Sequence, residues 1–285
     1  MSSDHNAGGY YLPGLSKWPI TAAIAIGMLG FGAAWMVNGS GVGKVVLLLG
    51  FIVLFYMFSG WFYTVAHESE AGLYNRQVGA SFRWGMSWFI FSEVMFFAGF
   101  FGALFWTRVI SVPDLGSLLH NEILWPGFTS HWPSAGPGFA EKFSPMGAWG
   151  LPALNTFLLL SSGATITVAH WALKENKRGL LNLFMFFTIA LGFTFLACQA
   201  IEYGHGYSEL NLKLSTGVYG STFYMLTGFH GFHVTLGAIM LTVILARCLA
   251  GHFTPNHHFA FEAVAWYWHF VDVVWLGLFI FVYWL

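Results

Sequence analysis

From Gly179 to Ile201 the chain reads GLLNLFMFFTIALGFTFLACQAI, twenty-three residues without Asp, Glu, Lys or Arg. At about 1.5 Å of rise per residue, such a run crosses the roughly 30 Å of hydrocarbon in a bilayer as one helix. Its apolar positions do not alternate, which argues against a barrel strand, and an open strand edge in lipid would leave backbone amides unpaired. The same measure applied outward finds six more spans. No charge occurs between Lys17 and Lys44, from Val45 to His67, from Phe143 to Leu173, or from Leu214 to Ala246. Trp84 to Thr107 holds only Glu93, and Ala263 to Leu285 holds only Asp272. The sequence thus predicts an all-α membrane protein with seven transmembrane helices in one integral-membrane domain, residues 1–285. The helices fall near 18–38, 44–66, 81–108, 149–174, 180–203, 217–249 and 259–285.

Composition agrees. Charged residues make up 8% of the chain, against about 25% in soluble domains, while hydrophobic residues reach 57% and aromatics 20%. That is more apolar surface than one aqueous core of this length hides. A formal charge of −1 offers no electrostatic footprint for nucleic acid. Cys198 and Cys248 lie in apolar runs without a Cys-x-x-Cys pattern, so both read as small buried hydrophobes. Met1 to Lys17 has neither the basic nor the short apolar region of a cleavable signal, and the first apolar segment is expected to stay in the mature protein. The stretch from Arg108 to Lys142 contains Trp125-Pro126-Gly127 and the run His131 to Gly138, HWPSAGPG. It reads as an ordered surface loop, too rich in turn residues for another helix. Gly39 to Lys44 has the wrong spacing for a phosphate loop and Val45 where Ser or Thr is needed, so it reads as a turn.

Seven spans put the termini on opposite sides. One face then receives Lys17, Arg76, Arg83, Lys174, Lys177, Arg178 and Arg247, the other Lys44, Arg108, Lys142 and Lys213. Seven against four places the N-terminus in the cytoplasm or matrix and the C-terminus outside.

Ionisable groups inside the spans are the functional candidates. Glu93 lies roughly 15 Å along its helix from Arg83 and 22 Å from Arg108, well inside the bilayer, and calls for a polar partner. Its alternative is a packing clip to a neighbouring helix. Asp272 follows His269 by three residues, which puts both on one helical face as either a proton relay or a mutually satisfied pair. His230 and His233 share a face in the same way. With His170 and His269 they could form a haem or metal ligand set, but their spacing matches no metal motif. His257 and His258 belong to an interfacial loop.

Several motifs carry a likeness. They are Ser92-Glu93-Val94-Met95-Phe96-Phe97 in the third span, Tyr219 to Tyr224 with Thr227 to Val234 in the sixth, and Phe261 to Trp275, FEAVAWYWHFVDVVW, in the seventh. Leu154-Asn155-Thr156, Ser162-Gly163, Ala169-His170, Gln199-Ala200 and Glu202-Tyr203 add weaker matches. Together these resemble subunit III of cytochrome c oxidase over essentially the whole chain. The resemblance implies that the first two helices stand apart from the other five around a V-shaped, lipid-filled cleft. It implies no haem, copper or other metal in this chain and no catalytic residue. Haem and copper belong to partner subunits I and II, where cytochrome c is oxidised, oxygen is reduced and protons are pumped. This chain would be part of a translocase only as a subunit, stabilising the complex and supporting proton uptake. The family's carbodiimide-reactive glutamate maps onto Glu93, and its phospholipid contacts onto Glu68, Arg83 and Arg247, with Glu68 in a loop whose length departs from the pattern. The unfamiliar loops and the missing presequence point to a bacterial inner membrane, while an organelle-encoded origin, which would also lack a presequence, stays open as the mitochondrial alternative. Two other readings stay open from the residues alone: an independent proton or solute carrier using Glu93 and Asp272, and a b-type cytochrome using His170, His230, His233 or His269.

Overall fold

The computed structural model describes residues 10–139 and 142–285; the Met1–Gly9 part of the N-terminal segment read above lies outside them. Among the described residues the regular elements are helical. In chain order they are α1 (Trp18–Val37), α2 (Gly41–Glu70), α3 (Arg76–Phe105), a π-helical turn (Trp106–Ser111), α4 (Val112–Leu115) and α5 (Leu118–Ile123). There follow α6 (Leu151–Lys174), α7 (Arg178–Ser208), α8 (Gly217–Leu249), α9 (Phe259–Leu278) and a closing π-helical turn (Phe279–Trp284). Seven of these helical stretches are long and apolar enough to cross a membrane: α1, α2, α3 continued to Leu115, α6, α7, α8, and α9 continued to Trp284.

Helix ends follow local chemistry. Pro19 and Pro152 sit in the first turns of α1 and α6, where a missing N–H costs nothing. Asn75 Oδ1 accepts from Val78 N at 2.9 Å, capping α3. Asn176, at φ +54°, turns the chain between α6 and α7. Several helices outrun the charge-free stretches that betray them. The second span continues to Glu70, so Glu68 lies in the last turn of α2 and not in a loop. The third reaches Leu115, and α7 reaches Ser208. Charged and polar side chains at span ends extend into the interface while backbone bonding runs on beneath them, so a charge marks the hydrocarbon edge earlier than the helix end. The expectation of no helix in the 108–142 loop also needs correction, since its first residues continue the third span and α5 forms one short turn before the Pro/Gly run.

The chain divides into two compact units at Phe82/Arg83. In the first, α1 and α2 form a hairpin with backbone against backbone. A Cβ on Gly32 would sit 2.5 Å from Leu47 N, and one on Gly43 would sit 2.3 Å from Met36 N. Glycine lets helices approach this closely in lipid, where dispersion rather than the hydrophobic effect holds them together. Trp18 Nε1 donates to Thr64 Oγ1 at 3.2 Å at the open end of the hairpin.

In the second unit α6, α7, α8 and α9 close a ring: α6 meets α7 and α9, and α8 meets α7 and α9. The last span is the most enclosed, with 56% of its apolar window buried against 11% for α1, α2 and α3. Its indoles fit sockets cut from small residues. Trp268, fully buried, meets Gly192 of α7 and Gly237 of α8, where an added Cβ would lie 2.8 Å from its ring. Its Nε1 donates to Ser162 Oγ of α6 at 2.8 Å. Seven residues on, Trp275 Nε1 donates to Thr156 Oγ1 at 2.9 Å. The loop before α6 is tied down as well. The carbonyls of Ser134 and Ala135 accept from Tyr219 N (3.2 Å) and Val218 N (3.1 Å), satisfying first-turn amides of α8 that have no intrahelical partner.

We expect Gly43→Val to force α1 from α2 and to destabilise the first unit by about 1–3 kcal/mol. SDS titration of the purified protein, monitored by proteolysis of the hairpin, checks this, and an unchanged profile contradicts the close approach.

Candidate functional site

Glu93 projects from α3 to α8, where its Oε2 lies 2.9 Å from Nε2 of His233. The other ring nitrogen, Nδ1, lies 2.7 Å from the carbonyl oxygen of Phe229. A carbonyl only accepts, so Nδ1 carries a proton, and the carboxyl and Nε2 share one more. Either an imidazolium donates to a carboxylate or a carboxylic acid donates to a neutral imidazole. Both arrangements are neutral overall, which makes an acid tolerable at this depth. The pair is mostly enclosed, with side-chain exposures of 22% for Glu93 and 9% for His233. The rings of Phe97, at 5.1 Å, and Tyr267, at 6.3 Å, pack against the imidazole. The chemistry available is movement of one proton between oxygen and nitrogen with no change of net charge.

His230, one turn away on α8, faces elsewhere. Its Nε2 lies 3.2 Å from Val271 O of α9, with the ring packed against the touching pair Trp275 and Phe195. His269 and Asp272 share a face of α9 as their spacing requires, with Nδ1 and Oδ2 3.7 Å apart, an ion-pair distance longer than a hydrogen bond. Thr167 Oγ1 of α6 lies 3.3 Å from His269 Nε2. Gly163 of α6 leaves room for the carboxylate, since a Cβ there would sit 2.2 Å from Asp272 Oδ2. His170 stacks edge-on to His258, with centroids 5.3 Å apart. Among the described residues no group of three or more His, Cys, Asp or Glu side chains is placed to hold a metal.

A cationic end forms where α6 and α8 finish and α7 and α9 begin. Arg83 clamps Glu262 of α9, with Nε 3.1 and 3.0 Å from Oε1 and Oε2, and Nη2 2.8 Å from Oε2. Arg83 stays 47% exposed. Arg247 lies over the Phe253 ring at 4.6 Å, and Arg178 Nη2 donates to Phe253 O. Lys174 and Lys177 lie at the same end, and Lys177 Nζ sits 4.1 Å above the Trp171 ring. The third lipid candidate, Glu68, belongs to the first unit, where it accepts from Tyr74 OH at 2.6 Å. Burial and that carboxylate hold the Tyr74 hydroxyl above the ordinary tyrosine range. Sequence reasoning named Glu93, Arg83 and Arg247 but missed His233 and Glu262 as their partners. The signal available for Glu262 was an acid in the first turn of one span at the depth of an arginine on another.

His258 precedes α9, and its Nδ1 lies 3.0 Å from Thr254 O. Burial lowers its pKa below the ordinary histidine value, beyond the effect of the nearby Glu262. The folded form therefore holds the neutral ring more strongly than the unfolded form does. Its stabilising contribution is complete above about pH 6.5, the unfolded value, and fades as pH falls toward the folded one. We expect His258→Asn to flatten the acid side of the stability profile, checked by thermal unfolding from pH 7.5 to about pH 4; parallel profiles contradict it.

The sequence matches the cytochrome c oxidase subunit III family over residues 8–285. It is 41% identical over 282 residues to the cytochrome c oxidase subunit 3 of Latimeria chalumnae, covering 98% of each chain. The proteins of that name from Mus musculus and Homo sapiens are 40% and 39% identical over 281 residues, again covering 98% of each chain. The seven spans and the whole-length match agree: the chain belongs to the cytochrome c oxidase subunit III family.

Proposed function

We propose that this subunit serves the oxidase without a redox centre of its own, holding phospholipid at its cationic end and sustaining proton uptake through the Glu93–His233 pair. Its partners in this reading are subunits I and II, which carry the haem and copper, with cytochrome c as the substrate of the complex. The observation that carries the lipid role is the gathering of Arg83, Lys174, Lys177, Arg178 and Arg247 at one end of the second unit. Guanidinium groups at headgroup depth suit the phosphate of an anionic lipid, and clusters of this size are attractive to acidic leaflets. The clamp on Glu262 engages one edge of the Arg83 fork and fixes its direction. The proton role is supported by the shared proton of a neutral pair, which can accept at one atom and deliver at another.

The excess of basic residues at this end favours an orientation with the cationic end and the N-terminus cytoplasmic and the C-terminus periplasmic. The setting we propose is a bacterial inner membrane; the similar proteins named above come from animals.

We expect replacement of Arg83 and Arg247 together by Gln to strip tightly bound anionic phospholipid from the assembled oxidase and to shorten its active lifetime during turnover. Mass spectrometry of the lipid extract checks this. Glu262→Gln, which breaks the ion pair but keeps Arg83, should retain the lipid. Unchanged lipid in the double variant, or equal loss in Glu262→Gln, contradicts the proposed contact.

A further inference from the structure

His269 and Asp272 are an intramembrane pair that the Glu93–His233 exchange does not use. His269 lies roughly 15 Å along α9 from Phe259, near the middle of the ~30 Å of hydrocarbon. Its ring is placed by α6. Thr167 Oγ1 donates its only proton to Gly163 O at 2.9 Å, so toward His269 Nε2, 3.3 Å away, it can only accept. Nε2 therefore carries a proton, and the opposite nitrogen, Nδ1, faces Asp272 Oδ2 at 3.7 Å.

With no further proton, a neutral imidazole would turn its lone pair toward a carboxylate. Two acceptors so placed repel, and the carboxylate would be an uncompensated charge in hydrocarbon. One more proton is needed, on nitrogen or on oxygen, and with it the pair is neutral overall. The count is that of Glu93 and His233, but the setting differs. There a contact of 2.9 Å and side-chain exposures of 22% and 9% enclose the proton. Here 3.7 Å leaves it outside a tight bond, and the imidazole is 46% exposed while the carboxyl is 8% exposed. Asp272 is closed off in the notch at Gly163, so His269 is the member through which a proton enters or leaves.

Other titratable groups lie on the same seam toward the cationic end. His170 is one turn from Thr167 on α6, and Glu262 is two turns before His269 on α9. His258 stands edge-on to His170, with centroids 5.3 Å apart. The charges that act on His170 are those of Lys174, His258, Glu262 and His269, so it stands within electrostatic reach of both the headgroup edge and the pair. Its Nε2 has no hydrogen-bond partner among the described residues and is not committed to a structural bond. Arg83 ends the series by engaging Glu262.

We propose that His269 and Asp272 form a second proton-holding site, loaded and emptied from the cationic end by way of His170. Thr167 is its positioning residue: by accepting from Nε2 it turns Nδ1 to the carboxyl. The step moves one proton and no electrons. The proton leaves a His170 imidazolium, which becomes neutral, and adds at Nδ1 or Oδ2 of the empty pair. The site shares no residue with the Glu93–His233 pair or with the lipid contact proposed for Arg83 and Arg247.

The test follows infrared spectra of the intact oxidase in phospholipid nanodiscs after pH jumps between about pH 6 and about pH 10. We expect a carboxyl or imidazole signal of proton release that is lost in Asp272→Asn and in His269→Gln at unchanged haem content. His170→Phe should keep the signal but slow its appearance by about tenfold or more, which a purely structural pair would not show. Thr167→Val should move the imidazole ring vibrations from the Nε2–H to the Nδ1–H tautomer. The absence of a signal that depends on the pair overturns the proposal, as does an unchanged rate in His170→Phe or an unchanged tautomer in Thr167→Val. If Asp272→Asn fails to assemble, the half-exposed His269→Gln assigns the signal.

Discussion

The hydrogen bond of 2.9 Å between Glu93 and His233 shows the constraint on which the rest depends: within hydrocarbon a polar side chain must find its partner on another helix. Each such need becomes a tie. Glu93 draws α3 to α8, and Trp268 and Trp275 reach from α9 to hydroxyls on α6, while at the headgroup edge Arg83 and Glu262 tie α3 to α9. In water these groups could turn outward. In lipid the cost of isolation makes modest hydrogen bonds decide which faces meet.

Packing then completes what the polar ties begin. The last span carries the largest side chains and the deepest burial, and small residues on its three neighbours are shaped to receive them. Gly192 and Gly237 flank Trp268, and Gly163 makes room for Asp272. A ring of helices locked by such sockets has few alternative packings.

The spans were legible because charges are scarce and each marks a hydrocarbon edge. Their true ends were not, because Glu68, Arg76 and Glu202 ride on helices that continue past that edge. Glu93 stood out as a lone acid amid Phe and Met, whereas its partner did not. His233 is 140 residues away, and its spacing from His230 suggested a shared task. Three residues along a helix still leave enough rotation for one imidazole to face α3 and the other α9. Glu202 was hidden for a related reason: it reads as a helix terminus, and only tertiary contact shows a buried carboxyl facing the Tyr283 hydroxyl of the last turn. Of the three readings open from the residues alone, membership of the oxidase subunit III family is the one that the match over the whole chain shows.

The central claim is that Glu93 and His233 act as one unit, and a double-mutant cycle in the assembled oxidase tests it most directly. Unfolding would be measured for the wild type, Glu93→Gln, His233→Gln and the double variant. A shared proton in an apolar setting predicts a coupling energy of about 1.5–3 kcal/mol. Losses that add to within about 0.5 kcal/mol would show two independent side chains and contradict the account.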